Sequence, residues 1–380
     1  MTGPAPHWQL PVLLPRSLHP LAWWLWALSL AVAAAQTTNP VLLLALVLVA
    51  CVVVVARRTD QTYARAFRWY LIAGAVVIAI RVLFRVLFGG GDAASPGDPV
   101  LVSLPALSMP WDGGWTLLGD LTGSALLAAT VDGLRLAAML VCVGAANSLA
   151  DPRRLLKSLP PALHEVGAAT VVAVTVLPQL AESVVRVRAA RRLRGGAGSR
   201  RDRLRSVVVP VLEDAVERSL ALAASMDSRG YGRRAAVPQG SRLLVGGLLI
   251  GGLMGLLVGV YALLDATTPY WLGLPVLLGG VAAAVVGLAV AGQRVRRTRY
   301  RPDRWLTPEL FTVACGVTLV CCFVATANAE PLVADPVLSP PSWPTLSLLP
   351  CLGLAAALLP AVATPAPRES LRAARELVPA

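Results

Sequence analysis

The sequence predicts an all-α, polytopic membrane protein of about eight transmembrane helices with a cytoplasmic pair of long helices set between two membrane blocks. Three observations carry this. Of 380 residues, 56% are hydrophobic and 14% charged, with a mean hydropathy of +0.67, a balance found in chains that use lipid as a solvent. Apolar runs of about 20 residues recur along the chain, the length needed to cross a hydrocarbon core. The net charge of +13 comes from arginines gathered in alternate loops, as the positive-inside preference requires of cytoplasmic loops. Because the arginines are spread over all the inner loops, the same charge argues against nucleic-acid binding.

The first block covers residues 1–150. The chain is Pro-rich to Pro20, then apolar from Leu21 to Ala35. Arg16 before this run and Ala33-Ala34-Ala35-Gln36 after it mimic a secretory signal. The run is read as a retained first helix, because Pro40 to Ala56 follows after a four-residue turn and suits an antiparallel pair. Arg57, Arg58, Arg65 and Arg68 mark a cytoplasmic loop, and a third span follows from Trp69 to Phe88. Within it, Arg81 and Arg85 share a face at i,i+4 and must meet protein, water or the interface rather than lipid. Asp132 and Arg135 in the next span are candidate partners for a structural pairing; Arg85 is also placed to snorkel outward. From Gly89 to Thr130 there is no Lys or Arg, only Asp92, Asp98, Asp112 and Asp120. This reads as an outside loop with a short interfacial helix near Trp115 to Leu127. A fourth span, Val131 to Leu149, returns the chain to the cytoplasm.

The insert, residues 151–242, opens with a short amphipathic helix from Asp151-Pro152 to Pro160-Pro161. A long helix follows, from about Ala162 to Arg194. Its first half, Gly167 to Leu180, is apolar but short for a span, and Pro178 should kink it. It reads as an interfacial helix, since a true span would carry its arginine end to the wrong side. A second long helix runs from about Val208 to Arg229, with Pro210 tolerated in its first turn. Val208, Val211, Ala215, Ser219, Leu222 and Met226 form an apolar-to-small seam. The opposite face holds Glu213, Asp214, Glu217 and Arg218, with Asp214 and Arg218 spaced for an ion pair.

The third block, residues 243–380, contains four apolar spans and a basic tail: Leu243 to Leu264, Tyr270 to Ala291, Pro308 to Ala327 and Pro344 to Ala363. Gly247, Gly251, Gly255 and Gly259 repeat every fourth residue, a small-residue stripe for close helix packing. With both termini inside, each basic loop falls on the cytoplasmic side, which places the protein in the cytoplasmic membrane. The six cysteines lie in apolar segments without metal-ligand spacing, and His7, His19 and His164 form no cluster. No phosphate loop or nucleophile elbow is present. The sequence offers no catalytic residue, no metal ligand set and no directly bound cofactor.

Two helix ends in the insert carry the functional signal. One reads Arg191-Arg192-Leu193-Arg194-Gly195 and the other Met226-Asp227-Ser228-Arg229-Gly230. Glycine closes a helix in the left-handed conformation, and the arginine before it sits where the helix dipole favours a cation. On these motifs, and on Leu18-His19-Pro20 and the stretch from Gly133 to Leu156, the chain resembles the T component of energy-coupling factor transporters, ABC-type importers of vitamins and transition-metal ions. That family ends two coupling helices in Ala-Arg-Gly-like motifs. Leu193 and Ser228 stand here where alanine is usual, while Arg194, Gly195, Arg229 and Gly230 are kept. The resemblance implies that these ends dock two partner ATPases, which use the ATP. It also implies a separate membrane S component that captures the solute. The glycine stripe suits internal packing better than an S-component contact. A permease of another ABC importer should carry one coupling helix rather than two. A membrane-embedded enzyme acting on anionic lipids would need a catalytic constellation near the bilayer surface.

Overall fold

The computed structural model describes residues 18–57, 66–88, 100–103, 105, 107–108, 116–158, 163–193, 200–230, 239–264, 269–293, 305–337 and 343–365. Seven of its helices are long and apolar enough to cross a membrane. They belong to two compact units, one formed by residues 1–155 with 302–380 and the other by residues 156–301. The third block read from the sequence, residues 243–380, thus divides after residue 301, its first part falling in the second unit and its last part in the first.

The first unit holds α1 (Pro20–Ala35), α2 (Pro40–Arg57), α3 (Phe67–Phe88) and α4 (Gly123–Leu149), and the boundary to the second falls within the six-residue α5 (Pro152–Lys157). Of the interfacial helix predicted near Trp115 to Leu127, residues 116–122 are not helical and residues 123–127 open α4. β1 (Val100–Ser103) pairs with β4 (Asp120–Thr122), and β2 (Leu107–Ser108) with β3 (Thr116–Leu117), both antiparallel. Leu118 at φ 62° and Gly119 at φ 133° bend the chain out of any helix at the centre of the predicted stretch, a conformation costly for an L-residue in regular structure. The fourth span accordingly starts at Gly123 rather than Val131.

The same unit is completed by α10 (Thr307–Ala329), α11 (Pro331–Ala334), α12 (Leu348–Leu358) and α13 (Pro360–Ala363). α10 packs on α1 and α12, and α4 packs on α1, α2 and α3. Trp26, Leu30, Leu42, Leu43, Leu46, Val53, Val54 and Leu319 are fully buried between them. Close approach is set by small residues: a Cβ on Gly316 would sit 2.9 Å from Ser29 Oγ and 3.3 Å from Trp26 Cα. The first and last predicted spans are only 16 residues each, and the last breaks at Leu359-Pro360, where proline cannot donate to the preceding turn.

Two polar clusters tie this unit together at opposite ends of α1. At its C-terminal end, Thr37 Oγ1 donates to the Ala334 carbonyl at 2.6 Å, and Thr38 Oγ1 to Asp335 at 2.9 Å. Asn39, fully buried, donates through Nδ2 to the carbonyls of Val333 (2.9 Å) and Thr345 (3.2 Å), and its Oδ1 accepts from Val41 N–H. At the N-terminal end, buried Glu309 accepts from the backbone N–H of His19 at 3.3 Å and of Leu306 at 3.1 Å. Arg154 donates to the Leu18 carbonyl there, and Arg57 Nη2 reaches the Val362 carbonyl at 2.9 Å. Asn39→Ala should lower the thermal stability of the purified protein, by about 1–3 kcal/mol for each carbonyl left without a partner. An unchanged melting profile in detergent would show that water replaces the amide.

The arginines of the spans find partners inside the unit. Arg81 Nη2 lies 3.9 Å from Asp132 Oδ2, the predicted pairing. Arg135 does not join it; it donates instead to the Ala35 carbonyl at the end of α1.

The second unit contains two helix pairs, α6 (His164–Leu193) with α7 (Arg200–Ser228), and α8 (Gln239–Leu264) with α9 (Tyr270–Gln293). α8 and α9 pack backbone to backbone. A Cβ on Gly280 would lie 2.6 Å from Leu256 N, one on Gly259 2.6 Å from Leu277 Cα, and one on Gly252 2.7 Å from Ala284 N. The predicted four-residue stripe is therefore only half used. Gly255 and Gly259 face α9, but Gly247 and Gly251 have nothing within 4 Å, and Gly252 takes part instead. The reason is geometric: at 3.6 residues per turn, positions every four residues drift around the helix, whereas 252, 255 and 259 hold one face.

Candidate functional site

α6 and α7 form the candidate site. α6 runs unbroken through Pro178 for 30 residues. By length and composition its Val166–Leu193 portion is able to cross a membrane, more than the interfacial reading of its first half allowed. α7 begins at Arg200, eight residues before the predicted Val208, so Pro210 lies in its interior and not in its first turn. The arginine-rich opening is helix-forming in its own right, and the sequence reading began the helix only where the apolar seam starts.

The two helices meet at Asp214. Its Oδ2 accepts from the buried Ser183 hydroxyl at 2.7 Å and lies 3.5 Å from Arg186 Nη2, both on α6. Its Oδ1 accepts from Arg218 Nε at 2.9 Å, the predicted i,i+4 pair. Asp214 thus does not lie on the face opposite the seam; it is the polar centre of the crossing, beside the half-buried Val211 and Ala215. A groove of about 510 Å³ continues from it between Val172, Val176 and Leu180 of α6 and Ala215, Ser219 and Leu222 of α7. Early residues of α6 thus face late residues of α7, so the helices run in opposite senses.

The Ser183 and Arg218 hydrogen bonds hold the Asp214 carboxyl below its ordinary value of 3.8, with Arg218 and Arg186 charges adding to the effect. A depressed carboxylate contributes to stability above its unfolded value, and that contribution is lost as pH falls through the folded one. The α6–α7 pairing should therefore be insensitive to pH down to about 4 and loosen below it. Hydrogen exchange of the α6 and α7 amides checks this. Asp214→Asn should raise exchange at neutral pH and abolish the acid-dependent step.

The helix ends lie on opposite sides of the crossing, about 15 Å from it for Leu193 and about 22 Å for Arg229. Leu193 is 90% exposed; Arg194 and Gly195 lie outside the described residues. At the other end, α7 stops at Ser228. Gly230 takes φ 75°, with Arg229 N–H bonded to the Met226 carbonyl and Gly230 N–H to that of Asp227. Ser228, Arg229 and Gly230 are all exposed. Glycine closes the helix as its position in the sequence predicts.

A second surface escaped the sequence reading. Val209, Leu212, Val216 and Leu220 make an exposed apolar stripe along α7, bordered by Glu213 and Glu217. Its i, i+3, i+7, i+11 spacing was legible, but the neighbouring seam used up the pattern. Among the described residues no three His, Cys, Asp or Glu side chains come together to hold a metal ion.

Long apolar helices, a buried core joined by polar clusters, and an exposed basic helix pair define a multi-pass membrane protein. A family model described as cobalt transport protein, CbiQ, matches residues 16–239, more than half of the chain. The chain belongs to this family, the T components of energy-coupling factor transporters, and is a transport permease. Comparison with curated proteins gives no match.

Proposed function

We propose that the chain couples ATP hydrolysis by two partner ATPases to a separate membrane S component, driving uptake of a vitamin or a transition-metal ion. The observation that carries this is the exposed end of α7, where Arg229 precedes a glycine already in the left-handed conformation. A guanidinium on a closed helix end is presented without further rearrangement, ready for bidentate pairing with a carboxylate in a groove. Arg194 takes the same role at the α6 end. Because α6 and α7 cross at Asp214, movement of one end by ATPase closure is passed to the other and to the exposed stripe of α7. That stripe is the surface proposed to bear on the S component. The chain does no chemistry; ATP binds to its partners.

The proposed location is the cytoplasmic membrane, with the N-terminus and the α6–α7 pair in the cytoplasm. Arg57 and Arg154 gather at the end of the first unit where α1 begins, which supports an inside start. Affinity purification from native membranes, in mild detergent with nucleotide present, tests the reading. Two ATPase subunits and a small membrane protein should accompany the chain, and the small protein would identify the cargo class. Recovery of the chain alone would count against coupling and return attention to an enzyme acting on anionic lipids.

A further inference from the structure

We infer that the two ends of the α6–α7 pair recognise electrostatically different sites: the α6 end docks against an acidic rim on its ATPase, and the α7 end docks with little net charge attraction. This rests on the reading that both ends dock ATPases. The crossing divides the charge unequally. On the side of the α6 end, the described side chains of residues 186–205 include five arginines and no Asp or Glu, a net +5. On the side of the α7 end, the described side chains of residues 215–230 include two arginines against Glu217 and Asp227, a net charge of zero.

Asp214 neutralises part of the charge at the crossing itself, through Arg186 and Arg218. Beyond it, Arg188, Arg192 and Arg205 are exposed. α7 also opens with Arg200, Arg201 and Arg203 in its first turn, the positive end of the helix dipole, where cations are disfavoured. An arrangement with this much self-repulsion gains most from a partner that supplies carboxylates around the helix end.

The distribution along α6 is not that of a helix lying in the plane of lipid headgroups. A helix that lies in a headgroup layer carries its cations around the circumference, beside its apolar face. Here they are separated along the axis. Exposed Val166 and Leu177 lie before the crossing at Ser183, and the arginines lie after it.

The test uses the full chain in nanodiscs of zwitterionic lipid and its purified ATPase partners. Arg229→Ala leaves only the α6 end to dock, and Arg194→Ala leaves only the α7 end. Raising salt from about 0.1 to about 1 M shortens the Debye length from ~10 to ~3 Å. Association through the α6 end should slow by about 10- to 100-fold, and through the α7 end by no more than about threefold. Replacing Arg188, Arg192 and Arg205 together by Gln should bring the first salt dependence down to the second while docking persists. Equal salt dependence in the two single variants would overturn the inference and leave docking intact. If neither single variant weakens ATPase binding, docking itself fails. Salt-sensitive binding to phosphatidylglycerol vesicles without ATPase, lost in the triple Gln variant, would assign the patch to lipid and overturn the inference.

Discussion

The double variant Arg194→Ala/Arg229→Ala is expected to purify without its ATPases while remaining folded in the membrane. Arg229 is exposed at a helix end, and Leu193, the last described residue of α6, is 90% exposed. Neither Leu193 nor Arg229 contributes to a core, so truncation at these helix ends should cost the protein itself little. On the partner, each missing guanidinium leaves a buried carboxylate unpaired, a loss of about 2–5 kcal/mol, or roughly 30-fold to several-thousand-fold in affinity per end. Co-purification reads the loss directly, and an unchanged melting profile separates it from misfolding. ATP-driven uptake should fall with it. Undiminished ATPase recovery would remove the role assigned to both ends.

The second large effect is expected inside the α8–α9 pair. Gly280→Leu places a side chain where the Cβ alone would sit 2.6 Å from Leu256 N and 2.7 Å from Gly255 C. Both obstacles are backbone, which cannot rotate away as a side chain can, so the helices must separate. Overpacking of this kind costs about 1–3 kcal/mol or more. Gly247→Leu, with nothing within 4 Å of its Cβ, is the matched control and should be near neutral for the isolated protein. Limited proteolysis of the two variants should show new cleavage around α8 and α9 only in the first. Equal resistance would mean that the close approach of these helices is not needed for their pairing.

Much of this architecture was legible in the sequence because lipid imposes a coarse and strong rule: a crossing helix must be long and apolar. That rule found α2, α3, α4, α8, α9 and α10, and the glycine rule found the stop at Gly230. Where other forces decide, the reading failed. The stretch near Trp115 to Leu127 was read as an interfacial helix, but Leu118 and Gly119, both at positive φ, lie between two short strands there. Asp214 looked like a solvent-facing charge. Only the position of Ser183 and Arg186 on α6 makes it the centre of a crossing, and no local pattern encodes that pairing. The glycine stripe misled because a repeat of four is not the period of a helix. The ends of α6 and α7 were read from motif alone.

The clusters at Asn39 and His19 also set an order of assembly during synthesis. Asn39 waits for Val333 and Thr345, and His19 for Glu309, partners 290 to 306 residues later in the chain. At about 5–20 residues per second, a ribosome takes roughly 15–60 s to supply them. Throughout that time α1, α2 and α4 are without α10, and the whole of residues 156–301 is made before α10. The membrane must therefore hold a half-built first unit, its polar turn still unpartnered, while the second is made. A chain ended near residue 301 would remain in that condition, a natural substrate for membrane quality control.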